Sequence, residues 1–206
     1  MTTAPRRLVV GISGASGATM GVRALELLRL ERPDVETHLV LTRGARATLR
    51  DETDLTSRQV MELADVVHSD DDLGAPIASG SYPVTGMLVV PCSIKTLSSV
   101  ANCYSANLLA RAADVQLKER RPLVLAVRET PLHRGHLRLM ADAADAGAVI
   151  FPPVPAFYHR PHSVQDLVDH SVRRMLEAVG LPTPGQERWN GHGVAPEHVR
   201  LTTARS

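Results

Sequence analysis

The sequence predicts an α/β protein with a doubly wound parallel sheet, a three-layer sandwich carrying helices on both faces. Three observations carry that expectation. Apolar runs of strand length recur at residues 8–12, 37–42, 87–90, 123–127 and 148–151. Longer stretches with helical periodicity separate them. Glycine, proline and small polar residues mark the passages between the two. Strands alternating with helices in this way form parallel sheets.

Each element follows in order. Residues 8–12 make the first strand, and the segment GISGASG at 11–17 turns it into a helix reaching about residue 30. Residues 37–42 form the second strand, with a short helix behind it. Residues 51–54 are a polar loop and 56–64 a helix. Residues 70–85 hold Asp, Gly, Ser and Pro without periodicity, which predicts a long loop of the kind that often serves function. The strand at 87–90 ends at Pro91, and helical sequence fills most of 93–119. The strand at 123–127 is fenced by charge on both sides, and a helix follows over 132–146. Residues 148–151 form a last strand, broken by Pro152 and Pro153. The final helix covers 163–179, with Asp166 placed to complete a capping box. Residues 1–190 are expected to form one domain, and 191–206 an extended or disordered tail.

Bulk properties narrow the function. The chain has 206 residues, a length that suits one α/β domain, and is 44% hydrophobic, enough for a core. A net charge of +1 gives no electrostatic case for nucleic acid or an anionic membrane. The two cysteines, Cys92 and Cys103, fit a reducing compartment. No apolar run approaches the roughly 20 residues of a membrane span. A soluble cytoplasmic protein is expected.

Two loops have the context of an anion site. The glycines of 11–17 lie between a strand and a helix, where free amides and the helix dipole favour negative charge. Their spacing is not that of the dinucleotide fingerprint, no acid ends the second strand, and the Gly-Lys-Ser/Thr of a P-loop is missing. Tight strand–helix packing would explain the glycines equally well. The segment PCSIKTLS at 91–98 repeats the geometry, with Ser93 and Thr96 able to cap a helix and Lys95 adding charge. Two such loops on one sheet converge on one crevice. Arg128 and Glu129 follow directly on the strand at 123–127, and ligands of open α/β sheets bind beyond the carboxyl ends of strands.

Other residues read more plainly. Lys95 and Lys118 are the only lysines among 23 basic residues. Arg111 and Lys118 lie about 20° apart around a helix, with Asp114 between them, the pattern of a solvated ion-pair face. In the last helix the apolar stripe is Val164, Leu167, Val168, Val172, Met175 and Val179. The wheel places Arg174 beside that stripe and Arg173 toward water. Cys92 reads as a packed small residue rather than a nucleophile. The nine histidines show no metal-ligand spacing, and no metal site is expected.

With these segments in place, the chain resembles the UbiX-type flavin prenyltransferases. The matching segments are GISGASG at 11–17, ETD at 52–54, PCSIKTL at 91–97, RAADV at 111–115, LKERRPLV at 117–124, RETP at 128–131 and PAFYHRP at 155–161. They run collinearly over roughly residues 8–190. The resemblance implies a flavodoxin-like, Rossmann-like fold assembled as a homododecamer. It implies transfer of the dimethylallyl group of dimethylallyl monophosphate to reduced FMN, without a metal, giving prenylated FMN for a UbiD-type decarboxylase. It implies flavin contacts at Gly14, Ala15, Ser16, Thr42, Ser93, Ile94, Lys95, Thr96 and Arg128. It places the prenyl substrate among Arg111, Lys118, Arg128, Tyr158, Arg174 and Trp189, with Ser16, Glu52, Glu129 and Lys118 as catalytic groups. Two positions depart from the family pattern: Thr42 stands where Ser is common, and Met20 where Tyr is common. The flavin-dependent cysteine decarboxylases of related fold carry an Asn-rich motif and a catalytic His where this chain has neither. A flavin carrier would need the flavin loops but not Lys118, Tyr158 and Arg174 together.

Overall fold

The computed structural model describes residues 6–186, 188 and 189. Its sheet consists of β1 (Arg6–Ile12), β2 (Val35–Leu41), β3 (Val66–His68), β4 (Gly86–Cys92), β5 (Leu123–Val127) and β6 (Val149–Ile150). The order is β3-β2-β1-β4-β5-β6 and every pairing is parallel. Without the three-residue β3, the remaining five strands read 2-1-3-4-5, the flavodoxin-like order. The chain reverses direction across the sheet between β1 and β4, and that switch point opens a crevice at the carboxyl edge.

The helices are α1 (Ala18–Glu31), α2 (Arg43–Glu52), α3 (Ser57–Met61), α4 (Ile94–Ala101), α5 (Leu108–Lys118), α6 (Arg134–Asp145) and α7 (Val164–Ala178). Alternation along the strands divides the core into two layers. Leu8, Val10, Leu39, Leu88 and Val124 pack against α1 and α7 on one face. Val9, Val40, Met87, Val89 and Leu125 pack against α4 and α5 on the other. Strands covered on both faces read as continuous apolar runs, which is how β1, β4 and β5 appear in the sequence.

Several expectations are corrected. β4 continues through Pro91 to Cys92, because its pairing with β1 ends at Val89 and the ladder to β5 shifts register there, so no partner needs a proline N–H. Asp51 and Glu52 close α2 rather than forming a loop. The helical stretch at 93–119 is two helices, with Asn107 capping α5 through the Ala110 amide at 2.9 Å. β3 is an edge strand too short to leave a periodic signal. The capping box of α7 is present, Ser163 and Asp166 bonding reciprocally. On α7 the two arginines are reversed: Arg173 is largely buried and paired with Glu31 at 2.6 Å, while Arg174 is exposed. Val164 is 77% exposed and lies outside the buried stripe. The expected tail at 191–206 lies outside the described residues.

Candidate functional site: a crevice at the switch point

The crevice is built by the loops leaving β1, β2, β4 and β5. Ser13, 1% exposed, ties the two central loops together. Its hydroxyl donates to the Pro91 carbonyl at 2.9 Å and accepts from the Ser93 amide at 2.7 Å. Gly14 touches Gly44 so closely that a Cβ on Gly14 would stand 2.9 Å from the Gly44 Cα. Gly17 enters α1 with φ 98°, a left-handed conformation suited to glycine. The glycines therefore bring backbones together and also leave the crevice floor without side chains.

Small-molecule sites are commonly cavities of about 300–1,000 Å³, and the one here measures about 530 Å³. Of the residues expected at the flavin, Gly14, Thr42, Ser93, Ile94, Lys95 and Thr96 line it together with Glu129, whereas Ala15, Ser16 and Arg128 do not. The hydroxyls also cap helices. Thr42 accepts from the Ala45 amide at 3.2 Å, and Ser93 from the Thr96 amide at 3.3 Å. Asp70, Asp71 and Asn107 line the same cavity and were missed. Asp70 accepts from the Leu109 amide at 3.2 Å and from the Asn107 side chain at 2.8 Å. Burial pushes the Asp70 carboxyl above its usual range, against those bonds. Its only signal in the sequence was its place at the start of the long polar loop.

Ser16 and Arg128 meet across a second, smaller cavity with Met20, Pro91 and Pro153. Ala15 is fixed by its amide, which donates to the Ser13 carbonyl at 2.9 Å. Glu52 occupies the first turn of α1: its Oε2 accepts from the Gly17 amide at 2.9 Å and the Ala18 amide at 2.8 Å. Part of the amide cluster that the sequence offered to an anionic ligand is thus held by the protein's own carboxylate. Glu129 accepts from the Thr130 amide at 3.0 Å and otherwise faces the large cavity.

Of the residues assigned to the prenyl substrate, Arg128 stands beside the crevice, and the others fall elsewhere within one chain. Tyr158, Arg174 and Trp189 share a cavity of 610 Å³ with His170 and Arg188. There Arg174 and Arg188 both pair with Glu177, and Trp189 meets Tyr158 edge-on at 5.9 Å. Lys118 lies at the end of α5, beside the amino end of β5, paired with Glu119. Five residues of β5 separate that edge from Arg128, about 16 Å at 3.3 Å per residue. Arg111 donates to the Ala78 carbonyl at 3.1 Å and pairs with Asp114 at 2.8 Å, so it braces the loop before β4 and does not line the crevice.

Cys92 is buried and its thiol is pushed up to about 12, which removes it as a nucleophile at neutral pH. Among the described residues no group of three or more His, Cys, Asp or Glu is arranged to hold a metal. No helix among them is long and apolar enough to cross a membrane.

Comparison with known proteins agrees with this geometry. Residues 2–175 match the Flavoprotein family. The chain is 58% identical over 188 residues to flavin prenyltransferase UbiX of Escherichia coli (strain K12), spanning 90% of this chain and 99% of that one. It is 54% identical over 186 residues to flavin prenyltransferase UbiX of Thauera aromatica, spanning 90% and 95%. The crystal structure of AnUbiX (PadA1) with FMN and dimethylallyl pyrophosphate superposes with a TM-score of 0.88 at 52% identity, over 91% of this chain and 99% of that one. A dodecameric FMN-dependent UbiX-like decarboxylase from Escherichia coli O157:H7 gives 0.87 at 46% identity, over 90% and 100%. The cypemycin decarboxylase CypD, at 18% identity and a TM-score of 0.60, shares the fold alone. On the crevice, its residues and these relatives, the chain belongs to the Flavoprotein family and, within it, to the UbiX flavin prenyltransferases.

Proposed function

We propose that this protein joins the dimethylallyl group of dimethylallyl monophosphate to N5 and C6 of reduced FMN. The observation that carries the reading is the switch-point cavity, where Thr42, Ser93, Lys95 and Thr96 converge next to Glu129 in a chain 58% identical to a flavin prenyltransferase. The residues present suit FMN. A glycine floor admits a planar ring, hydroxyls and helix amides offer donors, and Lys95 supplies charge for the phosphate tail. Reduced FMN supplies the two nucleophilic positions.

The chain's own residues supply the rest. We assign Gly14, Ala15, Ser16, Thr42, Ser93, Ile94, Lys95 and Thr96 to holding the flavin. Lys118, Arg128, Tyr158 and Arg174 would hold the prenyl phosphate and stabilise the charge that builds on it as the C–O bond breaks. No metal is needed when protein cations take that load. Tyr158, Trp189 and the apolar wall beside them would shelter the allyl group from water. Glu129 faces the cavity, whereas Glu52 already accepts two amide hydrogens, so we assign proton transfer to Glu129 and helix positioning to Glu52.

Tyr158, Arg174 and Lys118 are displaced from the flavin cavity in one chain, so we infer that copies of the chain complete each other's sites. Val154, Phe157, Tyr158 and Trp189 form an exposed apolar surface, 73%, 67%, 44% and 55% accessible, of the kind that marks an interface. The solved dodecameric relative supports an oligomer of that size. We take residues 1–190 as one FMN-binding domain, a cytoplasmic setting for its two unpaired cysteines, and a UbiD-type decarboxylase as recipient of the product. Release of inorganic phosphate from dimethylallyl monophosphate tests the reading. It should require reduced FMN and match the flavin consumed mole for mole. Release at the same rate without flavin would mark a phosphatase and overturn it.

A further inference from the structure

Tyr158 is not held by its own loop alone. Its phenol oxygen lies 2.8 Å from Nε2 of His170, and the two rings meet edge-on at 5.4 Å. The His170 ring is itself fixed, stacked on His159 at 4.4 Å with planes 7° apart. His170 and Arg174 stand four residues apart on α7, on one helix face, and both line the cavity of Tyr158.

The direction of the Tyr158–His170 bond decides what Tyr158 can do. A neutral imidazole carries one N–H donor and one acceptor nitrogen, and which nitrogen has the hydrogen follows from its partners. If the phenol gave its hydrogen to Nε2, it would present only lone pairs to a phosphate, which also has only lone pairs. For the phenol to donate to phosphate, Nε2–H must donate to the phenol oxygen. Such a bond also polarises the O–H and strengthens its donation to an anion. We propose that His170 is a positioning residue for the prenyl-phosphate step: its Nε2–H donates to the Tyr158 oxygen and turns the phenol hydrogen toward the departing phosphate. The inference rests on the assignment of Tyr158 to the phosphate made above.

The test compares the parent protein with H170Q, H170F, Y158F and the Y158F/H170F double variant, each as the assembled full chain. Turnover of dimethylallyl monophosphate with reduced FMN gives kcat and KM, and calorimetry of inorganic phosphate binding gives a readout apart from catalysis. Loss of a hydrogen bond relayed to a charged group predicts a fall in kcat of about tenfold or more for H170F, with weaker phosphate binding. H170Q keeps an N–H donor at similar reach and should regain most of the loss. The double variant should be no slower than Y158F, because His170 acts only through Tyr158. An H170F protein with parental kcat and phosphate binding, an H170Q protein as slow as H170F, or losses that multiply in the double variant would overturn the inference. If H170F fails to assemble, H170N, whose amide is too short to reach Tyr158, takes its place with the same expectation. A parent protein that makes no prenylated flavin would instead overturn the underlying assignment.

Discussion

The hydroxyl of Ser13 bridges to Ser93 across the switch point, accepting the Ser93 amide hydrogen at 2.7 Å while donating to Pro91 at 2.9 Å. The two loops that wall the switch-point cavity are thereby held at one separation. In Ser13→Ala, Pro91 keeps the Ser13 amide at 3.2 Å, but the Ser93 N–H loses its acceptor. A buried donor left unpaired costs about 1–3 kcal/mol. The apparent unfolding midpoint should fall, and the FMN dissociation constant measured by fluorescence quenching should rise. A variant with parental stability and affinity would show that the bridge holds nothing in place.

Glu52 should matter for folding as well as turnover. Its carboxylate caps α1 at Gly17 and Ala18 from the end of α2. Removing such a cap costs about 0.5–2 kcal/mol, so Glu52→Ala should lower the melting temperature. Glu52→Gln keeps an acceptor oxygen and loses only the charge at the helix N-terminus, about 0.3–1 kcal/mol. Calorimetric scans that place Ala and Gln together would contradict the cap.

A histidine pair on the opposite face of the sheet sets a pH dependence of stability. His68 Nε2 meets His38 Nδ1 at 2.9 Å, and His38 Nε2 meets Glu36 at 2.8 Å, with Arg7 on Glu36 and the Tyr82 hydroxyl 3.5 Å from His38. Burial, then repulsion from His38, holds the His68 imidazole below its usual 6.5. The unfolded chain therefore takes up the proton first as pH falls. Stability should be full above about pH 7 and decline as pH drops through the unfolded value toward the folded one. Thermal midpoints recorded from about pH 8 to pH 5.5 should fall less for His68→Gln than for the parent. Parallel profiles would exclude His68 as the source.

Subunit mixing tests the shared site. Lys118→Ala and Arg128→Ala proteins should each be inactive alone. Co-assembled in equal amounts, they should recover about a quarter of parental activity, because random closed assembly leaves that share of sites with both residues intact. No recovery would mean that Lys118 and Arg128 serve a site within one chain.

Much of this was legible in the sequence where local rules decide. The strand Leu123–Val127 and the Ser163–Asp166 capping box were read to the residue, since charge fences and cap chemistry are short-range signals. Strand ends pointed to the two loops and to Arg128 and Glu129, and the family resemblance supplied Gly14 and Thr42, while Asp70, Asp71 and Asn107 were signalled by neither. What escaped depended on distant partners. A helical wheel turned Arg174 inward, but Glu31 at the end of α1 draws Arg173 in instead. Glu52 looked like an exposed acid because its acceptor role is set by Gly17, 35 residues away. The separation of Lys118 from Arg128 comes from α5 running antiparallel to the strands, which spacing around one helix cannot show.

The most direct measurement is mass spectrometry of flavin extracted after anaerobic incubation of the protein with reduced FMN and dimethylallyl monophosphate. The account predicts a flavin heavier by one C5H8 unit, formed by the parent protein and lost in Glu129→Gln and Arg128→Ala. Unmodified FMN recovered from a protein that binds both partners would contradict it.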